Sequence, residues 1–141
     1  IAGALNQIAN NIPIIFPVHP RTNKMLNYFD IKLSKSIYQL PPLGFLESLY
    51  LWKDAAVVIT DSGGLQEETT ALGIPCLTLR ENTERPVTVM EGTNKLVKVD
   101  GLVKEVEEIW AGRGKRGHVP ALWDGRAAKR IVEIIENIAT R

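Results

Sequence analysis

Ser62, Gly63 and Gly64 follow the run Val57-Val58-Ile59-Thr60-Asp61 and precede Leu65-Gln66-Glu67-Glu68. A β-branched run that ends at a polar pair, then glycines, then a helical pattern spells strand, tight turn, helix. The first N–H groups of a helix have no intrahelical partner and sit at the positive end of its dipole, so bare glycines there let an anion come close. A phosphate or diphosphate is the natural occupant. A second reading is purely local: Ser62 caps the helix and the glycines make the turn.

The next helical turn favours the ligand. At about 100° per residue, Leu65, Thr69 and Leu72 share the inward face, Glu68 lies on its flank, and Glu67 points nearly opposite, into solvent. A carboxylate at the mouth of the turn is costly without a partner, and it can accept two hydrogen bonds from a vicinal diol such as ribose. Phosphate on the turn and ribose on Glu68 together describe a nucleotide.

Other polar residues fall at strand ends. His19 follows an apolar strand and precedes Pro20-Arg21, where it is either a hydrogen-bonded surface residue or a group that binds phosphate or shifts a proton. Arg21 can reach the same anion, or it is solvated. Arg85, in Glu84-Arg85-Pro86, either starts a helix paired with Glu84 or holds a hydroxyl, phosphate or carboxylate with its guanidinium. His118 and Lys115-Arg116 read as solvated loop. No Ser-His-Asp arrangement and no metal-ligand spacing is present.

The elements that must position these residues alternate. The expected strands are 12–18, 36–40, 55–60, 76–79 and 94–99. The expected helices are one opening at Ile1, then 22–30, 44–53, one after Gly64, a short one ending near Glu91-Gly92, one marked by Leu102, Val106 and Ile109, and 126–139. The strand at 12–18 reads as fully buried. The last helix carries Ala127, Ile131, Ile134, Ile135 and Ile138 on its apolar side. Strand–helix alternation implies a parallel, doubly wound sheet, in which ligands bind beyond the carboxyl ends of the strands. His19, Asp61-Ser62 and Arg80 all fall at that edge.

With 141 residues, 45% hydrophobic and 23% charged, the chain suits one packed domain, and a net charge of +1 with interleaved signs gives no reason to invoke nucleic acid or a membrane surface. Cys76 is the single cysteine and sits in an apolar run, which predicts a buried thiol in a reducing, cytoplasmic setting. No apolar run is long enough to span a bilayer. The chain opens without Met and inside a helical pattern, and it is read as a piece of something larger.

Six motifs in order resemble the non-hydrolysing UDP-N-acetylglucosamine 2-epimerases: Pro17-Val18-His19-Pro20-Arg21-Thr22, Thr60 through Glu68, Leu72-Gly73-Ile74-Pro75, Arg80 through Pro86, Gly92-Thr93-Asn94 and Trp123-Asp124-Gly125. The resemblance implies a Rossmann-like α/β/α sandwich forming one half of a GT-B-type two-domain enzyme, with residues 1–141 as its C-terminal, UDP-binding domain and the N-terminal domain absent. It implies UDP and UDP-N-acetylhexosamine as ligands, no redox or metal cofactor, and compatibility with a homodimer of the parent. By the same resemblance, Ser62-Gly63-Gly64 holds the diphosphate and Glu68 the ribose. Residues 43–48 lie beside the uracil. His19 is catalytic, and Arg21 and Arg85 bind substrate. The implied reaction interconverts UDP-GlcNAc and UDP-ManNAc by anti elimination of UDP and syn re-addition, with the C2 acid and base on the other domain. The isolated domain is then expected to be inactive. Two alternatives share these residues: the donor domain of a GT-B glycosyltransferase, and a free-standing nucleotide-sugar binding module.

Overall fold

The computed structural model describes residues 1–140. Five strands alternate with helices: α1 (Ala2–Ile8), β1 (Ile14–Pro17), α2 (Pro20–Tyr28), β2 (Ile37–Leu40), α3 (Phe45–Trp52), β3 (Val58–Thr60), α4 (Gly63–Leu72), β4 (Cys76–Thr78), α5 (Pro86–Met90), β5 (Asn94–Leu96), α6 (Leu102–Trp110) and α7 (Ala127–Ala139), with a single 3-10 turn at Val99–Gly101. All strand pairs are parallel, as helical crossovers require. The hydrogen-bonded ladder is split in two, β1–β2 and β3–β4–β5, rather than continuous.

One apolar core serves both ladders. Leu5, Ile8 and Ala9 of the α1 segment and Leu102 and Val106 of α6 pack with Ile37 and Leu77, and Ile14, Phe16, Val57 and Ile59 close around them. Successive strand residues face opposite sides, so Leu77 points to the α1–α6 layer while Cys76 and Thr78 point to α4. That alternation produces the three layers. It also corrects the expectation of a fully buried first strand: Ile14 and Phe16 face the core, whereas Ile15 is exposed, as is Tyr38 beside it on β2.

Three helices depart from their sequence patterns. α2 begins at Pro20, two residues earlier than expected, because Pro20 occupies the first helical position and His19 caps it. The inward face of α4 is Gln66, Thr69 and Thr70, whereas Leu72 is 46% exposed. The polar inner surface of β4 and β5 selects that face. The isoleucines of α7 form their stripe but stay largely open to solvent: Ile131, Ile134, Ile135 and Ile138 are 55–70% exposed. α4 ends as the sequence suggests, at Gly73 with φ of 73°, whose N–H bonds Thr70 while that of Ile74 bonds Thr69. No helix among the described residues is long and apolar enough to cross a membrane.

Candidate functional site

Ser62 sits at the N-cap of α4 with extended backbone (φ −82°, ψ 135°), but its hydroxyl makes no capping hydrogen bond. The local reading of Ser62 as a side-chain cap therefore fails, and the amide groups that open α4 are not consumed by it. The two glycines differ in what surrounds them. A Cβ on Gly63 would lie 2.5 Å from Glu84 Oε1, whereas one on Gly64 would meet only Ser62 Oγ, at 4.0 Å. Gly63 is bare because the loop after β4 lies against it; Gly64 faces open space.

Glu68 lies on the flank of α4, partly buried. Its Oε2 is shielded from solvent and has no hydrogen-bond partner. Such an oxygen costs about 1–3 kcal/mol while it stays unpaired. Glu67, expected to be solvated, instead forms an ion pair with Arg85, its Oε2 3.1 Å from Nε. Arg85 is thus paired across to α4 and not with Glu84, which binds Arg80 at 2.8 Å. The backbone amide of Glu84 and the guanidinium of Arg80 hold the Glu84 carboxyl below its ordinary range.

Behind these groups lies a buried polar network. Gln66 and Asn94 are both fully buried. Gln66 Nε2 donates to the Ser62 carbonyl (3.2 Å), and its Oε1 accepts from Thr83 Oγ1 (2.6 Å) and Asn94 Nδ2 (3.0 Å). Asn94 also donates to Thr88 Oγ1 (3.2 Å) and accepts from Thr78 Oγ1 (2.7 Å). Lys115 joins the same region by donating to the carbonyls of Val89 and Asn94 (2.8 Å to the latter), so it clamps the Gly-rich loop rather than lying in solvent. Burial, and then neighbouring Lys95, lower its pKa. The motif Trp123-Asp124-Gly125 is also structural: Asp124 accepts from the Arg126 amide at 3.0 Å and takes two bonds from Arg130, which roots α7.

His19 and Arg21 lie at the corner after β1, where His19 caps α2. His19 Nδ1 accepts the Arg21 amide N–H at 3.2 Å, which leaves Nε2 as the free ring nitrogen. Neither side chain bonds the α4 cluster, so Ser62, Gly63, Gly64, Glu68 and Arg85 form one group and His19 and Arg21 a second. Sequence reasoning missed the Glu67–Arg85 pair and Gln66. A polar residue at an inward helical position was the available signal for Gln66. A cavity of about 350 Å³ lies elsewhere, before β4 and β5, lined by Gly73, Pro75, Thr93, Gly114 and Lys115 among others. Ser62, Gly63, Gly64, Glu68, Arg85, His19 and Arg21 do not line it. Among the described residues, no group of three or more His, Cys, Asp or Glu is placed to hold a metal ion.

A family model described as UDP-N-acetylglucosamine 2-epimerase matches residues 1–136. The UDP-N-acetylglucosamine 2-epimerase of Methanocaldococcus jannaschii is 46% identical over 128 residues, covering 86% of this chain and 34% of that protein. The UDP-2,3-diacetamido-2,3-dideoxy-D-glucuronate 2-epimerase of Pseudomonas aeruginosa is 33% identical over 140 residues, covering 98% of this chain and 39% of that protein. The structure of the M. jannaschii UDP-GlcNAc 2-epimerase in complex with UDP-GlcNAc and UDP superimposes with a TM-score of 0.80 at 40% identity, over 96% of this chain and 39% of that one. The chain spans about a third of the length of the curated relatives it matches.

Proposed function

The chain belongs to the UDP-N-acetylglucosamine 2-epimerase family, and from that membership we propose that residues 1–141 are the C-terminal, UDP-binding half of such an enzyme. The observation that carries this reading is Glu68 Oε2, buried and unpartnered one helical turn beyond the uncapped start of α4. A ribose diol would supply the missing donors, and a diphosphate would lie on the amides of Ser62-Gly63-Gly64. Arg85 and Arg21 would contact the nucleotide sugar.

The proposed reaction breaks the C1–O bond to UDP as the C2 proton is removed. The C–H electrons become the C1–C2 double bond, giving UDP and a 2-acetamidoglucal. UDP then re-adds at C1 while C2 regains a proton on its other face, which interconverts UDP-GlcNAc and UDP-ManNAc. Negative charge grows on the departing diphosphate, where oriented amides and cations stabilise it without reorganising. His19 would meet that charge with its Nε2, the ring nitrogen not used by the Arg21 amide, as an acid or as a charge partner. The C2 acid and base would belong to an N-terminal domain outside this sequence. The exposed isoleucine stripe of α7 supports such a partner, since it is apolar surface that a second domain would cover. The buried, unpaired Cys76 supports a cytoplasmic setting, where a nucleotide-sugar epimerase would feed cell-surface polysaccharide synthesis.

Calorimetric titration of the chain with UDP, UDP-GlcNAc and ADP, repeated with Glu68→Ala, tests the reading. UDP is expected to bind more tightly than ADP, and Glu68→Ala to weaken UDP by about tenfold or more, since a hydrogen bond to a charged group is worth about 1.5–3 kcal/mol. Equal binding of ADP would remove the uracil assignment; an unaffected mutant would remove the ribose assignment.

A further inference from the structure

Arg85 is an exposed residue at the N-cap of α5, with φ −121° and ψ 59°. A cation at the positive end of a helix is electrostatically unfavourable. The structure nonetheless fixes it on three sides. Its N–H donates to Thr83 Oγ1 at 3.0 Å, its carbonyl accepts from Thr88 Oγ1 at 2.7 Å, and its Nε meets Glu67 at 3.1 Å. Both threonines are in turn held by buried amides: Thr83 by Gln66 and Thr88 by Asn94. The carboxamide that binds Thr83 also holds the Ser62 carbonyl, the last backbone group before the α4 cradle. A loop that merely joined β4 to α5 would not need both backbone groups of an exposed cation tied to threonines that buried carboxamides hold in turn.

We propose that Thr83 is a positioning residue that, through the carboxamide of Gln66, holds the Arg85 guanidinium in fixed register with the α4 cradle, so that both engage one ligand together. This rests on the reading of Arg85 as a ligand-binding residue. Gln66 is the shared point: its amide end fixes the cradle and its carbonyl end fixes the loop, so neither can shift without straining the other.

The test is a double-mutant cycle read by calorimetric titration of the chain with UDP-GlcNAc. Thr83→Val keeps the shape and deletes the hydroxyl. It is expected to weaken binding by about tenfold, within the range found for coupled neighbours. Thr83→Ser is expected to bind as the unaltered chain does. In an Arg85→Ala background, Thr83→Val is expected to cost nothing further, because there is no guanidinium left to position. An unchanged affinity in Thr83→Val, or the same loss with and without the guanidinium, would overturn the proposal. A second readout needs no variant: the Arg85 amide is expected to be protected from hydrogen exchange, and an unprotected amide would also overturn it. If the unaltered chain bound neither UDP nor UDP-GlcNAc, the functional reading would fall, while the exchange of the Arg85 amide would still report on the restraint.

Discussion

At the scale of single residues, the site combines groups the fold has satisfied with groups it has left open. Gln66 has both ends of its carboxamide bonded, whereas Glu68 keeps one buried oxygen bare and the Ser62 hydroxyl caps nothing. Helix caps usually lose about 1 kcal/mol when Ser becomes Ala. Ser62→Ala is therefore expected to cost less than about 0.5 kcal/mol in urea denaturation and still to weaken UDP binding in titration. A loss of stability typical of a cap would show that the hydroxyl serves the helix after all. Gly63 carries a different constraint: a methyl group there meets the Glu84 carboxylate, so Gly63→Ala must displace the Arg80–Glu84 pair.

At the scale of elements, α6 and α7 make opposite cases. Leu102 and Val106 put α6 against α1 in the dry core, and Leu102→Ala is expected to cost about 2–5 kcal/mol in denaturant unfolding. α7 is tied to the rest through polar groups, and its root responds to pH. Arg130, then the Arg126 amide, hold Asp124 below its ordinary pKa; Arg113 does the same for Glu108, and Glu84 is likewise lowered. A carboxyl whose pKa is lower in the folded state adds stability that is fully present above the unfolded value, about 4, and is lost as pH falls through the folded one. The thermal midpoint is thus expected to be flat from pH 7 to about pH 5 and to fall below about pH 4. Asp124→Asn should flatten part of that fall. A midpoint that rose on acidification would contradict the assignment.

At the scale of the molecule, the apolar stripe on α7 is exposed among the described residues, and the proposed reaction assigns the C2 acid and base to a second domain. Purified chain is therefore expected to give no UDP-ManNAc from UDP-GlcNAc in a coupled assay, although it binds the nucleotide. Turnover by this chain alone would place the acid and base within residues 1–141 and remove the need for a second domain.

Much of this was legible in the amino-acid order. Local signals do not depend on packing: β-branched Val58 and Ile59 running into Ser62-Gly63-Gly64 set a strand, a turn and a helix start, and Gly73 ends that helix with a left-handed residue no β-branched side chain would favour. What spacing could not supply was which side of α4 faces inward. Leu65, Thr69 and Leu72 made the more apolar stripe, but Asn94, itself held by Thr78, presents its amide to the helix, so Gln66 turns inward and Leu72 outward. Partner choice for charges was equally non-local. Glu84 is adjacent to Arg85 in sequence, yet the α5 turn carries the guanidinium across to Glu67. Helical and strand periodicities are properties of the chain itself; the identity of a buried polar group's partner is fixed only when distant segments are brought within hydrogen-bond reach.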